Sequence, residues 1–67
     1  MDAVLLLMIL ETGEVHTAVN YPSYEVCVEE MHAAVDRYVG IPLIYHERYE
    51  AYTDEAGNFI LFCEETL

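Results

Sequence analysis

Three histidines, two cysteines and thirteen carboxylates are the side chains of this 67-residue chain that could move a proton, hold a metal or carry charge into a contact. A histidine serves as general base or ligand only when a second group meets it at hydrogen-bond or ligand distance. His16 and His46 fall in separate alternating segments, read as opposite edge strands, and His32 sits near the rim of a helical stripe, so the spacing predicts no histidine metal site. Cys27 and Cys63 are separated by most of the chain, with no CxxC and no histidine at zinc-ligand spacing. Two buried free thiols are the default reading, because cysteine behaves as a small hydrophobe. A Cys27–Cys63 disulfide requires the helix to touch the last strand, and an intracellular setting argues against it. No Ser-His-Asp arrangement, P-loop or GxGxxG is present. Paired-carboxylate catalysis needs a cleft for which so short a chain has little room. The reading is therefore no enzyme, no cofactor and no metal.

The carboxylates have a second use, as fixed negative charge. Two Lys+Arg stand against thirteen Asp+Glu, a formal net charge of −11, while 55% of residues are hydrophobic. Acidic disordered tails are poor in apolar residues, so a chain this apolar and this anionic folds and carries its charge outside. Basic-patch binding to nucleic acid or anionic lipid is excluded. A net charge of about 2 to 8 suffices for the solubility of a small domain, and this chain exceeds it.

The elements that must hold these groups can be read in turn. Residues 4–10 are continuously apolar and precede the turn Glu11-Thr12-Gly13-Glu14, as in a buried strand entering a hairpin. Residues 15–19 alternate, with Val15, Thr17 and Val19 on one face. Ser23 is a suitable N-cap for a helix over 24–39, with Glu25 in its first turn. Tyr24, Cys27, Val28, Met31, Ala34, Val35 and Tyr38 form its apolar stripe, and Gly40 and Pro42 end it. Residues 43–52 alternate again, 53–58 form a loop, and 59–63 are apolar without alternation.

The expected fold is a single α+β domain over 1–67, ββαββ, a four-stranded mixed sheet of order 2-1-4-3 with one helix packed on one face. The two segments apolar on both sides take the centre and run parallel. That arrangement resembles the immunoglobulin-binding domains of streptococcal protein G in architecture alone. In it the Glu11/Glu14 hairpin and the Glu64/Glu65 tail finish at one end, Asp2, Asp54 and Glu55 occupy the other, and Glu25, Glu29, Glu30 and Asp36 lie outside the helix stripe. Glu25 and Glu29, four apart and alike in sign, repel by a few tenths of a kcal/mol, so self-repulsion is tolerated.

Rigidly held carboxylates present a field like the phosphate ladder of nucleic acid, about one charge per 3.4 Å of strand. A very short, single-domain, strongly acidic α+β chain without a catalytic motif resembles the small phage-encoded inhibitors of host defence, in particular the DNA-mimicking anti-CRISPR proteins. The resemblance covers whole-chain character and no motif. It implies binding to a Cas protein or complex at the basic site that receives the PAM or target duplex. From the charge argument, the expected partner contacts are Glu11, Glu14, Glu25, Glu29, Glu30, Asp36, Glu64 and Glu65. Tyr45 and Tyr49, flanking Glu47 on one strand face, join them because tyrosine is enriched in interfaces.

A second reading comes from the sheet. One helix covers one face, leaving Leu5, Leu7 and Ile9, or their alternates, with Ile60 and Phe62 exposed, and such a strip marks an interface. The alternative is thus a homodimeric or structural subunit joined through the uncovered face and acidic for solubility alone. Met1-Asp2-Ala3 lacks the positively charged start of a signal peptide, and the first apolar run is far short of the roughly 20 residues that span a bilayer. The chain is read as soluble and cytoplasmic, in the host cytoplasm if phage-encoded.

Overall fold

Two glycines and one glutamate set the course of the chain. At the first reversal Gly13 has φ +72° and its N–H bonds to Ile9 O at 2.8 Å, while Thr12 Oγ1 accepts from the Glu14 N–H at 3.2 Å. This closes a hairpin between β1 (Ala3–Ile9) and β2 (Glu14–Tyr21). Ser23 then caps α1 (Tyr24–Arg37), its Oγ accepting from the Val26 N–H at 3.2 Å, with Glu25 in the first turn and Arg37 in the last. The structure, a computed structural model, describes residues 2–37 and 42–66; the expected helix residues Tyr38 and Val39 and the stop at Gly40 lie outside them.

The second reversal was not expected. Residues 43–52 do not form one strand. β3 (Leu43–His46) and β4 (Ala51–Asp54) are antiparallel, joined by a turn over 47–50 in which the Tyr49 N–H bonds to His46 O at 3.1 Å and the Glu50 N–H to Glu47 O at 3.3 Å. Glu50 takes φ +49°, a region that glycine or asparagine usually occupies. At the third reversal Gly57 has φ +71°, and Asp54 Oδ1 accepts from the N–H groups of Asn58 and Phe59 at 2.6 and 3.3 Å, leading into β5 (Phe59–Glu65).

The extra reversal changes the topology. The sheet has five strands, all antiparallel, in the order β2-β1-β5-β4-β3. The expected four-stranded mixed sheet with parallel central strands, and with it the protein G likeness, is corrected on this point, and the class stays α+β. β5 runs opposite to β1 because one added turn inverts every later direction: Ala3 faces Glu65 and Ile9 faces Phe59.

Helix α1 lies over one face of the sheet. Ala3, Leu5, Cys27, Met31 and Cys63 are its buried centre, with Tyr21, Tyr24, Val28, Tyr52 and Leu61 packed around them. Alternation therefore turns Leu5, Leu7 and Ile9 toward the helix, and Val4, Leu6 and Met8 away from it with Ile60 and Phe62. In β2 the register shifts: Thr17 faces Leu7 but Val15 faces Met8, leaving His16 as the extra residue of a bulge. Val15 consequently lies on the opposite face from Thr17 and Val19, where the alternation had grouped them.

The free-thiol reading is also corrected. Cys27 and Cys63 form a disulfide between the helix and the central strand, with Cα atoms 6.2 Å apart. They meet because the helix crosses over β5, which the sequence separation of 36 concealed.

Candidate acidic interface

Strand direction sorts the carboxylates into two ends. At the end where the helix starts, β1 begins, β5 finishes and the 47–50 turn reverses. Asp2 O accepts from the Thr66 N–H at 2.9 Å, holding the two outer segments side by side, and Glu64 and Glu65 pair with Val4 and Ala3. Asp2, Glu25, Glu47, Glu50, Glu64 and Glu65 thus share this end with Arg48, six carboxylates against one guanidinium and a net of five negative charges. From β1 across β5 and β4 to β3 is three strand spacings, about 14 Å.

Asp2, Glu47, Glu50, Glu64 and Glu65 follow the strand order in a row, with Glu25 on the helix layer beside it, and among the described residues no three His, Cys, Asp or Glu side chains come close enough to hold a metal ion. The row is ordered by Tyr24, whose hydroxyl donates to Glu50 Oε2 at 2.8 Å and so ties the first helical residue to the turn. That hydrogen bond to Glu50, then partial burial, then the charge of Glu50 and weaker effects of Tyr45 and Glu65, push the Tyr24 hydroxyl up to about 12. Two carboxylates, one from the 47–50 turn and one from β5, therefore act on one phenol. Arg48 lies over the Tyr49 ring, 5.9 Å from its centroid, and Tyr49 is 69% exposed at the tip.

The expected contact residues do not gather as one group. Glu64, Glu65 and Glu25 belong to this end, whereas Glu11 and Glu14 lie at the opposite end with Asp54, Glu55 and Asp36. The convergence of Glu11/Glu14 with Glu64/Glu65 required parallel central strands and is corrected by the antiparallel pairing. Asp2, assigned to the far end, joins Glu65 for the same reason. Glu29 is exposed on the outer face of α1 and Glu30 is half-buried on its flank. Tyr49 stays at the surface, but Tyr45 packs against His32 and Tyr52 with ring centroids 5.0 and 4.9 Å apart. Tyr24, Glu47 and Glu50 were missed. A turn signal at 47–50 would have revealed the last two, and Tyr24 belongs to the helix's apolar stripe, which reads first as core.

Elsewhere the chemistry is sparse. Tyr52 Oη lies 2.6 Å from His32 Nδ1, and burial, with smaller effects of Asp36 and Tyr45, raises the Tyr52 hydroxyl above its ordinary range. His46 Nε2 is 2.7 Å from Thr53 Oγ1, and His16 Nδ1 is 3.0 Å from Thr17 Oγ1. His16 and His46 sit on the two edge strands, β2 and β3. An apolar groove of about 500 Å³ runs between the sheet and the C-terminal half of α1, lined mainly by aliphatic and aromatic side chains such as Leu7, Val35 and Phe59. Among the described residues no helix is long and apolar enough to cross a membrane. No protein-family model, curated protein or solved structure matches the chain.

Proposed function

We propose that the chain is a non-enzymatic, anti-CRISPR-like inhibitor that imitates DNA, docking its acidic end in the basic groove where a Cas protein or complex receives the PAM or target duplex. The observation that carries this reading is the row at the helix-start end. About 14 Å of a nucleic-acid strand holds about four phosphates. The sheet end sets a net of four negative charges over the same span, on strand ends and a hydrogen-bonded turn, with Glu25 of the helix beside them. Glu64, Glu65, Glu25, Glu47 and Asp2 are the contacts, and Tyr49 supplies a flat ring at the rim. Glu29, Glu30, Glu11, Glu14 and Asp36 extend the field over the helix and the other end, and act mainly on encounter rate.

The compartment that fits this activity is the cytoplasm. The Cys27–Cys63 link is compatible with it, since both residues are buried, 0% and 8% exposed, and thiol reductants need access to a sulfur atom.

The test is competition for a guide-loaded Cas effector against PAM-containing duplex. The chain is expected to displace duplex, and its affinity to fall steeply between about 50 and about 200 mM salt. Glu64→Lys with Glu65→Lys is expected to weaken binding at least about tenfold, and Glu29→Lys with Glu30→Lys to weaken it less. Unchanged duplex binding, or an affinity indifferent to salt, defeats the reading.

A further inference from the structure

The face of the sheet turned away from α1 carries little of the chain's net charge of −11. Among strand carboxylates, Glu14, Asp54 and Glu65 alternate onto the helix side and Glu64 alone onto the other. At its centre Val4, Leu6, Met8, Ile60 and Phe62 are half-buried although no described element covers them, and Ile44 at the β3 edge is 44% exposed. A sheet apolar on both faces needs a layer on each.

The missing layer must itself be nearly uncharged. A cationic surface finds no carboxylate at the centre of this face to pair with, and an anionic surface finds no lysine or arginine on these strands. Size points to a second copy. Strands of seven, eight, four, four and seven residues, at about 3.3 Å per residue and about 4.8 Å between strands, give a patch of about 500 Å² in projection. Side-chain relief brings it toward the roughly 800 Å² per partner of a standard interface. Charge then selects the packing angle. Sheets stack about 10 Å apart, either aligned or at right angles. Aligned copies bring one acidic end against another. Crossed copies lay each acidic end over an edge strand, and of these β3 bears no carboxylate and β2 only Glu14.

We infer that the uncovered face binds a second copy of this chain, sheet on sheet, with strands crossing near a right angle. The test is sedimentation equilibrium of the oxidised full chain without any partner, so its failure leaves the acidic row standing. The expected result is a reversible dimer that tightens as salt rises from about 0.01 to about 0.15 M, opposite in sign to binding a cationic groove. Leu6→Lys, opposite Phe62 at the centre, is expected to weaken the dimer at least about tenfold. Ile44 lies on an exposed edge where substitution spares the fold. Beneath the partner's acidic end, Ile44→Glu is expected to weaken association at least about fivefold relative to Ile44→Lys. A chain monomeric up to about 1 mM overturns the inference. So does a dimer indifferent to Leu6→Lys, and so do equal affinities for the two Ile44 variants, which decide the matter alone if Leu6→Lys does not fold.

Discussion

Tyr24 and Glu50, 26 residues apart, meet in a 2.8 Å hydrogen bond that fastens the start of the helix to a turn held at positive φ. One contact therefore joins the helix layer to the far side of the sheet, at the end where the carboxylates are densest.

This bond makes stability depend on alkaline pH. The Tyr24 hydroxyl is raised from 10.0 to about 12 in the folded protein, so the fold favours its protonated form. The contribution is whole below pH 10 and is lost as pH rises from 10 through 12. Denaturant unfolding across that window is expected to show a decline that Tyr24→Phe makes shallower, and phenolate absorbance is expected to lose a late-titrating tyrosine. An unchanged slope in Tyr24→Phe would place the alkaline loss elsewhere.

Glu50 carries an opposing cost. A left-handed backbone is unfavourable for a residue with a Cβ by about 1 kcal/mol, and glycine removes that strain while deleting the carboxylate. Glu50→Gly is expected to stabilise the Tyr24→Phe protein by up to about 1 kcal/mol and the native protein by less, because only the latter loses a hydrogen bond. Equal effects in both backgrounds, measured by denaturant unfolding, would mean that the bond adds nothing.

The disulfide carries an unusual share of the stability, since the buried core is small. Closing a loop of 36 residues restricts the unfolded chain by about 4 kcal/mol. Replacing both Cys27 and Cys63 by alanine is expected to lower Tm by about 20 °C, with reduction of the native protein giving a similar loss. A drop of a few degrees would show that packing of Met31 and Leu5 alone suffices.

The legible parts of the fold were those with local punctuation. Gly13, Ser23 and Gly57 each announce a reversal or a cap through their own backbone or side-chain chemistry, and the reading located the first hairpin, the helix start and the last loop from them. The 47–50 turn has no glycine, proline or asparagine: His46-Glu47-Arg48-Tyr49-Glu50 keeps the alternation of a strand, and Glu50 takes the left-handed position with its carboxylate held by a distant tyrosine. A long-range contact thus supports a turn that local propensity does not favour. The error was a matter of parity, so it carried Glu64, Glu65 and Asp2 to the wrong partners while leaving the composition argument intact. The bulge at His16 and the pairing of Cys27 with Cys63 likewise depend on where other elements lie.

The Thr66–Asp2 hydrogen bond has a consequence for connectivity. A few linking residues between these neighbours would make the backbone a ring, and reopening it within 55–58 would thread β5, β1 and β2 as a continuous meander, followed by the helix and the β3–β4 hairpin. Each strand would keep its register, since no native pairing crosses that cut apart from the loop's own contacts. Circular permutation therefore separates what the order of elements contributes to folding from what their contacts contribute.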